Sequence, residues 1–97
     1  MKPTRVILPA EEELTAAALY YESRSPGLGS RLADAADEAL QDISDHPQLF
    51  HLIAPNYRQK LLQRFPFAFI YRIDADEIVV VAFMHLRRRP GYWKERL

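Results

Sequence analysis

The sequence predicts an α+β fold in which two helices pack on one face of an antiparallel sheet. Two observations support this prediction. Apolar residues recur with a period near 3.6 in the first half of the chain and with a period of 2 in the second half. No internal repeat, low-complexity tract or long linker divides the chain. With 97 residues, of which 48% are hydrophobic, we expect a single domain over residues 1–97.

The first half of the chain predicts a short strand followed by a helical hairpin. Residues 4–8 are rich in β-branched side chains and are followed by Pro9, which predicts an edge strand. Apolar residues from Leu14 to Tyr21 recur at helical spacing and predict a first helix from residue 10 to residue 23 or 24. The segment 25–29 contains a proline and two glycines and predicts a turn. A second helical period follows and ends at residues 45–47, so the two helices form an antiparallel hairpin.

The second half predicts a three-stranded antiparallel β-meander and a short C-terminal tail. Residues 47–56 are expected to be irregular, and strands are expected over residues 57–65, 67–73 and 78–85. Pro66 and the Asp-Ala-Asp sequence at residues 74–76 supply the turns. Helices on one face would leave the other face of the sheet partly open, and we expect function there.

Charge and composition exclude several classes of function. The chain has no cysteine and no metal-ligand spacing or phosphate loop, so we expect no metal and no cofactor. No apolar run approaches the length of a membrane helix, which favours a cytoplasmic protein without a membrane partner. The formal charge is zero, but residues 1–54 carry 4 basic and 9 acidic residues, whereas residues 55–97 carry 9 basic and 4 acidic ones. This asymmetry indicates a basic surface for an anionic partner, unless the two halves pair with each other.

Two basic segments are candidate functional sites. In the first meander strand, Arg58, Lys60 and Arg64 fall on one face, at a spacing of roughly 6.5 to 7 Å that suits phosphate contacts and also suits simple solvation. After the last strand, His85 is a candidate for proton transfer. The tail then interleaves cations with aromatic residues and is a candidate for target binding through Arg87, Arg88, Arg89, Tyr92, Trp93 and Arg96. For Trp93 itself, docking on the core is the favoured role.

The sequence resembles the RelE/ParE superfamily of toxins from type II toxin-antitoxin systems over nearly its whole length. The most specific part of the resemblance is the Arg-Phe-Pro-Phe sequence at residues 64–67, together with the stretch from His85 to Trp93. Weaker matches lie in the first helix, at Glu13-Leu14 and Tyr20-Tyr21-Glu22. The resemblance implies a growth inhibitor that is neutralised by a cognate antitoxin protein.

The same resemblance implies two alternative activities. RelE-like members cleave mRNA on the ribosome without metal. In this chain Arg58, Lys60 and Arg64 would then stabilise the transition state, and His85 or Tyr92 would transfer protons. ParE-like members inhibit DNA gyrase by protein contact, and the Pro90-x-Tyr92-Trp93 ending is more similar to them. Leu86 stands where such nucleases tend to carry an arginine, which also favours the gyrase inhibitor. A third alternative is a basic nucleic-acid-binding module that does not inhibit growth.

Overall fold

A layer of two helices covers one face of a five-stranded sheet, as the α+β prediction requires. The computed structural model describes residues 2–97. In chain order the elements are β1 (Thr4–Val6), α1 (Leu8–Arg24), α2 (Leu28–Asp45), β2 (His51–Ala54), β3 (Tyr57–Leu61), β4 (Phe67–Ile73) and β5 (Ile78–His85).

The sheet is mixed, with the strand order β1-β5-β4-β3-β2. Strands β2 to β5 form an antiparallel meander, and β1 pairs parallel to β5, with Val6 opposite Val80. The first strand therefore lies at an edge, as predicted. It is parallel because the helical hairpin carries the chain back over the sheet before the meander begins.

The structure differs from the sequence-based expectation in two strand ends and in one additional strand. The first strand ends at Val6, and Pro9 lies in the first turn of α1, where its fixed φ and missing N–H are tolerated. The segment expected to be irregular contains β2, which pairs with β3 around a bulge between Leu52 and Ala54. Strand β3 ends at Leu61, so the expected strand over residues 57–65 is wrong in its last part, where Arg64 has a φ of 69°.

Buried side chains form one cluster on each face of the sheet. The cluster under the helices joins the inner residues of α2 to alternate residues of the central strands: Leu32, Ala36, Ala39, Ile43, Phe67, Phe69, Tyr71, Ile78, Val80 and Phe83. The cluster on the other face, which we call the outer face, contains Ile7, Ala10, Ile70, Val79, Val81, Ala82 and Trp93. Both faces of β4 and β5 are thus buried, and the outer cluster explains how this is achieved without a second helical layer.

Candidate functional site

The C-terminal tail, residues 86–97, lies against the outer face of the sheet. Trp93 is only 3% exposed and packs on Tyr57 of β3, with ring centroids 4.7 Å apart. A buried tryptophan contributes a large apolar area, so this contact anchors the tail. The favoured expectation for Trp93, docking on the core, is confirmed. The expectation of an open outer face holds only beyond the part that the tail covers.

A carboxylate from α1 holds the tail in place. The Tyr92 hydroxyl donates to Glu13 Oε2 at 2.6 Å, and the Arg96 guanidinium donates to Oε1 at 2.8 Å and to Oε2 at 2.9 Å. The side chains of Glu13 and Arg96 are 18% and 19% exposed. We call Glu13, Tyr92 and Arg96 the clamp. Because it joins residues 79 to 83 positions apart, it ties the chain's end to its first helix.

The clamp binds backbone groups at the edge of β5, next to a bulge in this strand. Val80 lies opposite Tyr71 and Ala82 lies opposite Ile70, so Val81 has no partner on β4. Past this point β1 has ended, and the β5 edge is no longer paired with a strand. The Val81 carbonyl accepts a hydrogen bond from Arg96 at 2.9 Å, and the Phe83 N–H donates to Glu13 Oε1 at 3.0 Å. The clamp therefore takes the place of a strand partner at this edge.

The clamp also sets the ionisation of its members. Burial opposes the charged form of Glu13, but the hydrogen bonds from Arg96, Tyr92 and the Phe83 N–H outweigh burial and lower the pKa of this carboxyl. Burial, and then the hydrogen bond to the Glu13 carboxylate, raises the pKa of Tyr92 well above its ordinary value. Glu13 is therefore a carboxylate and Tyr92 a neutral phenol at neutral pH, each already engaged by the other.

The anchored tail presents the arginine turn, which we define as Arg87–Arg89. All three side chains are exposed, and the Arg88 guanidinium stacks over the Tyr92 ring at 4.0 Å from its centroid. No ion pair to Arg87 or Arg89 exists within residues 2–97. Of the six residues predicted to bind a target, Tyr92, Trp93 and Arg96 thus hold the tail, while the three consecutive arginines face solvent.

The cations predicted in the first meander strand lie elsewhere. Lys60 forms a 3.5 Å ion pair with Asp42 of α2, and Arg58 donates to the carbonyls of Gln48 and Phe50 at 3.1 and 2.8 Å. Both side chains therefore point to the helix side of the sheet, so the expectation of a cationic open face is wrong. The physical reason is the strand register. Lys60 and Arg58 lie opposite Phe69 and Tyr71 of β4, and both of these residues belong to the helix-side core.

Arg64 and His85 complete the predicted catalytic set, and the structure places them in different surroundings. Arg64 has left the strand and lines an open cleft with Arg31 and Glu38 of α2. The His85 ring packs edge-on against Phe67 at 5.1 Å, and its Nδ1 accepts from the Arg87 N–H at 3.0 Å. The five predicted catalytic residues are thus divided among the helix side of β3, the β3–β4 connection, the end of β5 and the clamp.

Glu13 is the site residue that the sequence analysis missed, since it was named there only as a weak match in the first helix. The signal was present, because Glu13 falls between Ala10 and Ala17 on the face of α1 that turns towards the sheet. A carboxylate on a buried helix face requires a partner, and the tail supplies the nearest cations. Within the described residues, no group of three or more acidic, histidine or cysteine side chains is arranged to hold a metal ion. No helix there is long and apolar enough to cross a membrane.

Comparison with known proteins agrees with this architecture. No curated protein matches the chain in sequence. A solved structure described as "Chromosomal ParDE TA system from P. aeruginosa" superposes with a TM-score of 0.67 at 17% sequence identity, covering 90% of this chain and 98% of that one. A family model described as "ParE toxin of type II toxin-antitoxin system, parDE" matches residues 8–90, which include both helices and the whole sheet except β1. The chain therefore belongs to the ParE toxin family of type II toxin-antitoxin systems.

Proposed function

We propose that the protein inhibits growth by binding DNA gyrase through the arginine turn, and that a cognate antitoxin protein neutralises it. The observation that carries this proposal is a run of three exposed guanidinium groups on a tail that a buried tryptophan and an ionic clamp hold still. A preorganised cationic turn binds an acidic protein surface without the entropic cost of ordering a free tail. Family membership supports the toxin and antitoxin parts of the proposal.

The contacts of the candidate nuclease residues favour binding over catalysis. Arg58 and Lys60 are committed to carbonyls and to Asp42 on the helix side, and the Tyr92 hydroxyl is committed to Glu13. General acid-base chemistry needs a proton donor, an acceptor and cations around one reacting phosphate. Cleavage of mRNA by this set would require Arg58 and Lys60 to leave their present partners, and Tyr92 as well if it transfers the proton, whereas protein binding requires none of them to move.

The test compares wild-type protein with two charge-matched double variants in a gyrase supercoiling assay. Arg87→Gln/Arg89→Gln removes two charges from the arginine turn, and Arg24→Gln/Arg31→Gln removes two exposed charges from the helical hairpin. We expect wild type and the hairpin variant to inhibit supercoiling equally and the tail variant to be weaker by roughly 10-fold or more, since each lost charge contact is worth about 1 kcal/mol. All three should unfold at the same denaturant concentration.

Two results would overturn the proposal. The first is that the wild-type protein leaves the rate of supercoiling by gyrase unchanged. The other is a tail variant as potent as wild type. Mapping mRNA 5′ ends after regulated expression separates the alternatives: new ends at the ribosomal A site with normal supercoiling would indicate the RelE-like nuclease. Normal growth with neither effect would indicate a basic binding module.

A further inference from the structure

The strand β2 forms an exposed, apolar edge of the sheet. It is the last strand in the order β1-β5-β4-β3-β2, so its second side faces no strand within residues 2–97. Four large apolar side chains are exposed there: Leu49, Leu52, Ile53 and Leu61 are 71%, 51%, 36% and 50% exposed. The register of β2 against β3 places Leu49 and Leu61 at the same end of this edge. We call these four residues the β2 edge.

No charged side chain protects the β2 edge. Residues 46–57 contain no Asp, Glu, Lys or Arg, and this is the longest such stretch in the sequence. The next longest, residues 78–86, belongs mainly to the buried strand β5. Natural edge strands commonly carry charges, because their unpaired backbone N–H and C=O groups otherwise attract another strand. The opposite edge follows this rule, since β1 contains Arg5, which forms a 3.0 Å ion pair with Glu77.

Symmetry and charge together favour a second copy of the chain as the occupant. When two identical strands pair antiparallel about a two-fold axis perpendicular to the sheet, one residue lies opposite its own copy. A charged residue there would meet a like charge about 5 Å away, whereas an apolar residue gains a contact. A strand that selects a different protein commonly uses complementary charges for this purpose, and β2 has none.

We propose that two copies of the protein associate through antiparallel pairing of β2 with β2, with Leu52 opposite its own copy. His51 then lies opposite Ile53 of the second copy, and the two sheets become one continuous sheet. The paired segment is short, because β2 has 4 residues and a bulge follows Leu52. The buried area is therefore near the lower limit of about 1,000 Å² for specific interfaces, and we expect a reversible dimer with a dissociation constant of roughly 10 to 100 µM.

Sedimentation velocity of the purified full chain, from about 1 to about 500 µM, tests the proposal. The variants are Leu52→Lys and Leu52→Glu, each of which places a like charge opposite itself in the dimer. The matched control is Leu19→Lys, because Leu19 is 67% exposed but lies on α1. Circular dichroism establishes that each variant is folded.

We expect wild type and Leu19→Lys to dimerise alike. Each Leu52 variant alone should associate at least about 10-fold more weakly, because a two-fold dimer contains the substitution twice. An equimolar mixture of Leu52→Lys and Leu52→Glu should regain association, since Lys then lies opposite Glu. Only pairing that brings position 52 next to its own copy produces this rescue.

Amide hydrogen exchange of the wild-type chain gives a second measurement that needs no variant. We expect exchange of the backbone amides of residues 51–54 to slow as the protein concentration rises, while exchange of β1 stays the same. This result would identify the interface even if a Leu52 variant did not fold.

Four results would overturn the proposal. A chain that stays monomeric at the highest concentration would leave the β2 edge to a strand from another protein. Dimerisation that both Leu52 variants retain, or that Leu19→Lys loses equally, would place the interface elsewhere. A mixture of the two Leu52 variants that does not associate would show that Leu52 does not face its own copy. Exchange at residues 51–54 that is independent of concentration would show that β2 does not pair.

Discussion

The clamp makes Glu13→Gln the most informative substitution in this protein. Gln keeps the size and shape of the side chain but removes the charge that three donor groups share. The carboxylate accepts hydrogen bonds from the Tyr92 hydroxyl, from two nitrogens of Arg96 and from the Phe83 N–H. In the variant, the amide nitrogen necessarily faces at least one of these donors, and the Arg96 guanidinium remains four-fifths covered without a counter-charge.

The expected loss of stability follows from that geometry. Removing one partner of a fully buried ion pair costs roughly 3 to 5 kcal/mol. The clamp keeps some contact with water, so we expect the free energy of unfolding to fall by about 2 to 3 kcal/mol. This is a large share of the roughly 5 to 15 kcal/mol that holds a small domain together. Since Trp93 neighbours two clamp residues, its fluorescence should report loosening of the tail before the sheet unfolds.

The assay is urea unfolding followed by circular dichroism and by the single tryptophan, with Glu77→Gln as the control. Glu77 also receives two hydrogen bonds from an arginine, Arg5, both at 3.0 Å, but that pair lies on the surface. Exposed pairs contribute little because water screens them. We expect Glu77→Gln to unfold like wild type. Equal midpoints for Glu13→Gln and Glu77→Gln would refute the reasoning that the clamp is structural.

Four further results are expected. The lowered pKa of Glu13 means that its contribution is complete above the ordinary carboxyl value of 4.5 and is lost as pH falls from there through the folded pKa, so titrating unfolding below pH 4.5 should bring wild type towards Glu13→Gln. Gly29→Ala should cost about 1 to 3 kcal/mol in urea unfolding, since the new Cβ would meet the Ala18 carbonyl oxygen at 2.5 Å. Gly27→Ala should cost only about 1 kcal/mol, because the φ of +87° is strained but no atom lies within 4 Å; the reverse order would contradict the close approach of the helices. Trp93→Ala should cost roughly 3 to 5 kcal/mol and loosen the tail, as measured by unfolding and by limited proteolysis at the C-terminus. Under the proposed function, this variant should also fail to inhibit gyrase in the supercoiling assay.

Periodicity predicted the helices and the strands of the central sheet because burial enforces it there. The inner residues of α2 repeat at 3.6, and residues of β4 alternate between the two core clusters. The strand β2 was missed for the complementary reason. It lies at the edge of the sheet, Leu52 is half exposed, and a bulge breaks the alternation that would have marked it. The end of the first strand was predicted too late because proline is common both after strands and in the first turn of helices. Pro9 therefore did not indicate that α1 already begins at Leu8.

The candidate site was predictable in composition but not in arrangement. Local patterning placed cations and aromatic residues in the tail, and it placed Arg58 and Lys60 on one face of a strand. It could not say which face looks towards the helices, because that depends on the register of β3 against β4. It also could not join Glu13 to Arg96, since nothing local relates two residues 83 positions apart. Long-range pairing of this kind is visible only in the folded chain.

The position of the clamp has a consequence for neutralisation. Glu13 belongs to α1, whereas the arginine turn follows β5. Under the proposed function, an antitoxin therefore has two routes to neutralisation. It covers the arginine turn directly, or it binds and shifts α1 and so withdraws the carboxylate that holds Tyr92 and Arg96. The second route predicts that Glu13→Gln, with its tail already loosened, binds the target weakly in the absence of antitoxin. The first predicts that this variant still needs the antitoxin to be silenced.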